Sequence, residues 1–268
     1  MYHLILLFVF AATATFAQDR RPSHCIAIAD AAPGLEFIQR AAFTDTVPKY
    51  SVRLSYIDHS MFLIQTPGGI SVATDYTGYT GPAPFLPTVV TMNHAHSSHW
   101  TAFVDPGVRH VLPGWGEFGE GIEHYLDLGE MLIRNVSTDI RSGGGIETRG
   151  NSIFVFEVEG LCIGHLGHLH HEPNEDQYAA LGRLDVVMAA VDGGLTVPIP
   201  TMVRIIKRLK SSIVIPMHWF GRGALDQFLV GMSDEFDVIR TNETSLEVSL
   251  RTLPARPTVM VLEPRFLN

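Results

Sequence analysis

The stretch Asn93-His94-Ala95-His96-Ser97-Ser98-His99-Trp100 follows directly on Thr88 to Met92, a continuous apolar run that is typical of a buried strand. In an extended chain, residues i and i+2 share a face, so we expect His94 and His96 to bind one ion. His99, beyond a turn, is expected to reach the same ion or a second one. Neutral imidazole is a common ligand of zinc and iron. We interpret the stretch as a metal-binding motif, and the alternative is a polar loop that happens to be rich in histidine.

Two further strand patterns also end in histidine. Leu161 to Ile163 leads into Gly164-His165-Leu166-Gly167-His168-Leu169-His170-His171, and Ser212 to Pro216 leads into Met217-His218-Trp219. In α/β sheets, sites collect where strand ends converge. We therefore expect histidines that are far apart in the sequence to meet at one edge of a sheet.

Composition narrows both the fold and the partners. The 268 residues carry a formal net charge of −9 at pH 7, so no large basic surface is expected and nucleic-acid binding is not predicted. Strand patterns dominate the first half of the domain, and helical patterns alternate with strands later, which predicts a mixed α/β (α+β) sandwich. The predicted helices are Asn174 to Leu181, Pro200 to Leu209 and Asp226 to Met232.

The N-terminus has the layout of a cleaved secretory signal. Leu4 to Ala14 is apolar and uncharged, and Thr15-Phe16-Ala17 places small residues before a polar segment. We predict a signal peptide at 1–17, an extension at 18–49 and one domain at 50–268. The mature protein would be secreted or periplasmic, with no membrane attachment after cleavage. An uncleaved interfacial anchor and a buried first strand are the alternatives.

The chain contains two cysteines, Cys25 and Cys162. Cys162 lies in an apolar strand pattern, where a small buried thiol is the favoured interpretation. A Cys25–Cys162 disulfide is the alternative.

A series of short motifs between about residue 50 and residue 220 carries a family resemblance. They are Asp58-His59-Ser60, Asp75, His94 to His99, Arg149 to Phe156, His165 to His171, Leu184 to Val187 and Ile215 to His218. In their order and spacing the chain resembles the metallo-β-lactamase superfamily, in the branch that includes ascorbate-phosphate lactonase-like hydrolases. The resemblance implies a four-layer αβ/βα sandwich with one or two metal ions at its rim. It also implies a metal-bound hydroxide that attacks an ester, lactone, amide or phosphodiester.

The chain departs from the family pattern at three metal-binding positions. Ser98 stands where the leading motif has an aspartate, and His168 stands where the family has a bridging carboxylate. The histidine expected near residue 140 is missing, and that region offers only Asp139. Two divalent ions a few ångströms apart need anionic bridging. We therefore expect one tightly held ion, zinc by preference with iron or manganese as alternatives, and a second ion that is weak or absent.

The predicted ligands form two halves of one site. His99, His168 and His218 make a three-histidine position with room for water, as in known catalytic zinc sites. The other half comprises His94 and His96, with Asp139 as a partner. Asp192, which precedes Gly193-Gly194, is a candidate general base, and a turn-forming aspartate is its alternative role.

Supporting residues and function follow from the same resemblance. His59 and Asp75 match positions that orient ligands by hydrogen bonds, or they have a plain structural use. We expect a metal-dependent hydrolase of an ester, lactone or phosphorylated small molecule. The alternatives are a catalytically degenerate protein that binds metal or ligand without turnover, and metal-based redox chemistry. The oligomeric state is not predicted.

Overall fold

The computed structural model describes residues 21, 23–27, 42–94 and 96–268. The predicted signal peptide at 1–17, and most of the predicted extension at 18–49, lie outside the described residues. Within the described part of the chain, no helix has the length and apolar character needed to cross a bilayer.

The described residues form fourteen strands, four α-helices and one short 3-10 helix. The helices are α1 (His24–Ala27), α2 (Glu175–Leu181), α3 (Ile199–Leu209), α4 (Arg222–Met232) and the 3-10 helix Leu250–Thr252. The first six strands are β1 (Val52–Asp58), β2 (Met61–Gln65), β3 (Ser71–Ala73), β4 (Val89–Met92), β5 (His110–Pro113) and β6 (Tyr125–Asp127). The next four are β7 (Met131–Ser142), β8 (Gly145–Val158), β9 (Leu161–His165) and β10 (Val186–Ala190). The last four are β11 (Ile213–Met217), β12 (Asp237–Arg240), β13 (Ser245–Val248) and β14 (Thr258–Val261).

The strands form two sheets that pack face to face. One has six strands in the order β13-β1-β2-β3-β4-β5, and the other has eight in the order β12-β14-β11-β10-β9-β8-β7-β6. Alternate side chains of β1, β2, β8 and β9 fill the space between them, among them Leu54, Phe62, Phe154 and Ile163. The predicted metallo-β-lactamase sandwich is confirmed.

The outer faces of the two sheets are covered differently. Helices α2, α3 and α4 pack on the eight-stranded sheet, because one face of α3 carries Met202, Ile205 and Ile206, all buried. In the described residues the outer face of the six-stranded sheet is covered by loops, which contribute Phe85 and Trp100. The three predicted helices are present, and Asn174 caps the first of them through its side chain.

Strand direction brings the histidine-rich segments to one edge. Strands β9, β10 and β11 are mutually parallel, and so are β3, β4 and β5. The carboxyl ends of these strands therefore emerge at common edges of their sheets, and the segments that follow them carry the predicted site residues. The long strand β7 and the C-terminal strands β12 to β14 were not predicted.

The N-terminal segment is attached to the sandwich by a covalent bond. Cys25, in α1, forms a disulfide with Cys162 in β9, so the prediction of a free buried thiol at Cys162 is wrong. Nearby, the backbone N–H of His24 donates to Glu157, which also accepts from the guanidinium of Arg134. The apolar pattern around Cys162 could not reveal this bond, because the partner cysteine lies 137 residues away in the sequence.

Removal of the disulfide should destabilise the fold strongly. A cross-link that closes a loop of this length stabilises by about 4–5 kcal/mol in the chain-entropy account. We expect dithiothreitol to lower the free energy of unfolding by an amount of this order, measured by urea denaturation. The Cys25→Ser/Cys162→Ser variant is the control, since its unfolding curve should not respond to dithiothreitol. Coincident curves for the oxidised and reduced wild-type protein would contradict the prediction.

Candidate metal centre

Four histidine side chains converge between the two sheets. His96 and His99 follow β4, His168 follows β9 and His218 follows β11. One ring nitrogen from each lies within 4.8 Å of the others. His99 Nε2 is 3.2 Å from His218 Nε2, and His96 Nε2 is 3.3 Å from His168 Nε2. The structure thus brings together the three histidines predicted for one position, with His96 beside them; we refer to these four side chains as the four-histidine cluster.

Two buried carboxylates lie behind the cluster. Asp75 Oδ2 is 2.6 Å from His99 Nδ1, and Asp192 Oδ2 is 3.0 Å from His218 Nδ1, although the second N–H is not aimed straight at its oxygen. Both carboxylate side chains are fully buried. Because ionised carboxylates only accept hydrogen bonds, they favour the tautomer with the proton on Nδ1 of each ring, and the Nε2 atoms of both rings face the cluster.

Both carboxylates are held in their ionised form. Burial alone would raise the pKa of Asp75, but the nearby His165 and His99 and the hydrogen bonds from His99 and Asn93 hold that pKa below its usual value. Burial also opposes ionisation of Asp192. The contact with His218, the Thr196 hydroxyl and backbone N–H groups nevertheless keep the pKa of that carboxyl well below its usual range.

The other two rings of the cluster, those of His168 and His96, have lowered pKa values. Burial first, and then the neighbouring rings, lower the pKa of His168 and of His96. The lowered pKa values leave a lone pair on each of these two rings, and the four ring nitrogens of the cluster lie close together and face one another. A cation satisfies such an arrangement, so the donor set fits a divalent transition-metal ion.

The turn between β1 and β2 fixes the strand ends from the opposite sheet. The carbonyl of His59 accepts the backbone N–H of His218 at 2.8 Å and the hydroxyl of Tyr56 at 2.7 Å. The next carbonyl, that of Ser60, accepts from His165 Nε2 at 2.8 Å. His59 has a positive φ of 44°, which lets this tight turn present both carbonyls. The predicted supporting role of His59 is thus carried by its backbone, while its ring packs 3.9 Å from that of His218.

Comparison with known protein families agrees with this geometry. The family model described as the beta-lactamase superfamily domain matches residues 53–218, which is more than half of the chain. The chain belongs to this superfamily. No curated protein matches the sequence.

Solved structures show the same fold within the superfamily. A Thermotoga maritima protein assigned to the Zn-dependent hydrolases of the metallo-β-lactamase superfamily is 22% identical, with a TM-score of 0.56, over 79% of this chain and 100% of the other. Igni18, a metallo hydrolase from Ignicoccus hospitalis, is 17% identical with a TM-score of 0.50, over 69% and 91%. YhfI from Bacillus subtilis, a metallo-β-lactamase fold protein, is 10% identical with a TM-score of 0.51, over 80% and 98%. These similarities concern the fold.

His94 lies apart from the cluster, contrary to the expectation that it shares an ion with His96. Its ring stacks on Trp115 with centroids 4.7 Å apart, and its Nδ1 is 3.9 Å from a carboxylate oxygen of Glu147. The expectation assumed an extended chain after β4. Instead the chain turns soon after β4, where the N–H of His99 donates to the carbonyl of His96 at 2.9 Å.

Asp139 is also outside the cluster. It lies where the register between β7 and β8 shifts, and its Oδ1 accepts the backbone N–H of Arg149 at 3.0 Å. Its side chain lines a separate cleft of about 520 Å³ beside α2. The expectation that Asp139 replaces the missing histidine rested on sequence position alone, and the irregularity in β7 could not be seen there.

Asp192 is a poor general base in this geometry. Its carboxylate accepts the backbone N–H groups of Gly194, Leu195 and Thr196 and the Thr196 hydroxyl at 2.6 Å. With its pKa lowered by these donors and its side chain fully buried, it has little capacity to take up a proton. We correct its predicted role from general base to positioning of His218. The alternative role expected for Asp192, that of a turn-forming aspartate, agrees with its hydrogen bonds to the backbone N–H groups of Gly194, Leu195 and Thr196.

Arg141 is a positioning residue that the sequence analysis missed. Its guanidinium donates to the carbonyls of Leu195 at 2.6 Å and Thr196 at 2.9 Å, which belong to the loop around Asp192. Its backbone N–H donates to His170 Nδ1 at 2.7 Å, and the ring of His170 packs 4.6 Å from that of His168. No sequence motif marks Arg141, because its role depends on hydrogen bonds from its side chain, in β7, to a loop some 50 residues further along the chain.

The four-histidine cluster predicts which substitutions abolish metal binding. Alanine at His99, His168 or His218 should remove tight binding of zinc, because each removes one of the three buried ring nitrogens of the cluster and opens a buried space. Asp139→Asn and His94→Ala should retain the wild-type affinity, since both side chains lie outside the cluster. Elemental analysis together with competition against a chromophoric chelator measures this. Loss of zinc from Asp139→Asn would show that our correction of its role is wrong.

Asp192, whose carboxylate lies behind His218, should affect the affinity for zinc although it is not itself a ligand. Asp192→Asn should weaken zinc binding by about 10–100-fold, the usual effect of losing a partner of a metal-binding histidine. Arg141→Ala should cause a smaller loss in the same assay, because it acts through the loop. The matched control is Arg204→Ala, which removes an exposed arginine of α3 that pairs with Glu172. Equal affinities for Arg141→Ala and Arg204→Ala would contradict the positioning role.

Proposed function

We propose that this protein is an exported metal-dependent hydrolase of an ester, lactone or phosphorylated small molecule. One observation carries the proposal: four inward-facing imidazole nitrogens, backed by two buried carboxylates, lie beside an open cleft of about 460 Å³. Membership of the beta-lactamase superfamily supports it. The cleft has the size of a small-molecule site.

The four histidines of the cluster would have different roles. His99, His168 and His218 are buried and would hold the ion, while His96 is exposed and lines the cleft. A divalent ion held there would acidify water and polarise the scissile bond. Ser98 Oγ lies 2.8 Å from His96 Nδ1 and orients that ring at the floor of the cleft. Trp219 and Phe220 wall the same cleft and would exclude bulk water from the reacting groups.

Export is part of the proposal and has its own support. The Cys25–Cys162 disulfide suits an oxidising compartment, since such bonds are rare where thiols are kept reduced. The signal-like N-terminal sequence points the same way. The finer assignment to the ascorbate-phosphate lactonase-like branch rests on the sequence resemblance, and it is the source of the lactone and phosphorylated classes in our proposal.

A second function is favoured by one feature of the cluster. Its members are all histidines, without a carboxylate, among the residues that the structure describes. Four protein ligands that close a zinc site leave no position for substrate, as in structural sites. A protein that binds metal without turnover is therefore the alternative.

Turnover by metal-loaded protein tests the proposal. We expect hydrolysis of at least one member of a panel of chromogenic esters, lactones and phosphoesters. A chelator should abolish it and added zinc should restore it. His218→Ala should lower kcat/KM by more than about 100-fold, because a ligand is lost. His94→Ala is the matched control and should remain active.

Two results would contradict the hydrolase proposal. Stoichiometric zinc without turnover of any substrate class would favour the binding protein. Activity that survives both the chelator and His218→Ala would show that hydrolysis occurs elsewhere.

A further inference from the structure

The cleft beside the four-histidine cluster has an aromatic wall. Tyr56, Trp219 and Phe220 line it, and Phe220 is 67% exposed, so its ring is available to a ligand. Large exposed aromatic side chains are costly to leave in water, and their faces bind other rings and cations. This wall favours a substrate with an aromatic or other apolar group.

The lining of the cleft carries a negative charge. Asp58 lines it, and no lysine or arginine does so among the described residues. Glu263 and Arg265 flank Pro264 of the lining, and the charges of Glu263 and Asp58 act on the buried hydroxyl of Tyr56. The guanidinium of Arg222 lies 3.8 Å from Glu263 in an exposed pair, where it offsets that carboxylate only weakly. An anionic group in the cleft would find no cationic side chain among the lining residues.

A metal ion in the cluster would not reverse the preference of the cleft against anionic groups. A single divalent ion would bring two positive charges, and the carboxylates of Asp75 and Asp192, both fully buried, lie directly behind the rings of His99 and His218. Carboxylates at these positions offset part of the field with which an ion would draw an anion into the cleft. The formal net charge of −9 acts in the same direction at longer range.

We propose that the cleft accepts uncharged or positively charged esters and lactones with an aromatic or other apolar group, and selects against substrates that carry a phosphate or carboxylate. The inference rests on the proposed hydrolase function and narrows its substrate class. Asp58 is the specificity-determining residue, because its carboxylate repels an anion and attracts a cation at the mouth.

A matched pair of esters measures the selectivity. We expect kcat/KM for p-nitrophenyl butyrate to exceed that for mono-p-nitrophenyl glutarate, which carries a carboxylate at its far end, by at least about tenfold. In Asp58→Asn this ratio should fall by about threefold to tenfold, as expected for the loss of one charge in a partly desolvated cleft. Asp176→Asn, which removes the same charge from the separate cleft beside α2, should keep the wild-type ratio.

A binding measurement separates this inference from the hydrolase proposal. Calorimetry with benzyltrimethylammonium, benzamide and benzoate, on zinc-loaded protein, should give affinity in that descending order. Phe220→Ala should weaken all three by about fivefold or more, whereas Phe118→Ala, also highly exposed but not in the lining, should not. This binding order without turnover of either ester would leave the inference standing and overturn the hydrolase proposal.

Four outcomes would overturn the inference itself. They are faster hydrolysis of the glutarate ester, tighter binding of benzoate than of benzamide, equal ester ratios in Asp58→Asn and Asp176→Asn, and failure of all three probes to bind.

Discussion

The site depends on one constraint, which is that four imidazole nitrogens face one another at short range. The Nε2 atoms of His99 and His218 are 3.2 Å apart, and those of His96 and His168 are 3.3 Å apart. A cation at the centre of the cluster would satisfy all four nitrogens at once, since they lie within 4.8 Å of one another. The fold imposes this arrangement through short links. Each histidine follows the carboxyl end of a strand, and the β1–β2 turn clamps the end of β11 through the carbonyl of His59. Such preorganisation is useful only if an ion is bound.

The negative charge that balances this ion lies behind the rings rather than between metals. At the two positions where the family pattern has carboxylates, this chain has Ser98 and His168. Asp75 and Asp192 instead contact the Nδ1 atoms of His99 and His218 from the buried side. Two carboxylates compensate one divalent ion, but they leave a second ion uncompensated and without a bridging ligand. This arrangement favours the expectation of one tightly held ion.

Much of the fold and of the metal centre was predictable from local sequence patterns, and the predictions that the structure contradicts failed for a common reason. Apolar strands that end in histidine were enough to predict the sandwich and the meeting of His99, His168 and His218, because strand direction alone determines where such ends emerge. The predicted partnership of His94 with His96 required knowledge of a turn, and that of Asp139 required knowledge of a β-bulge. The Cys25–Cys162 bond and the contacts of Arg141 depend on residues distant in the sequence. Contacts set by tertiary structure leave no periodic signal in one sequence.

The exposure of the four rings bears on whether the site can turn over a substrate. A zinc site closed by four equal ligands is inert, but these four are not equal. His99 and His218 are fully buried and contact carboxylates, and His168 is 3% exposed, whereas His96 is exposed and contacts the hydroxyl of Ser98 and Nε2 of His168. In the family pattern, an aspartate at position 98 would add a charged ligand at this corner. Its replacement by serine leaves His96 as the most exposed side chain of the cluster, at the place where it meets the cleft. A substrate that competes for one coordination position would therefore displace His96 first, and the three buried histidines would remain as the stable part of the site.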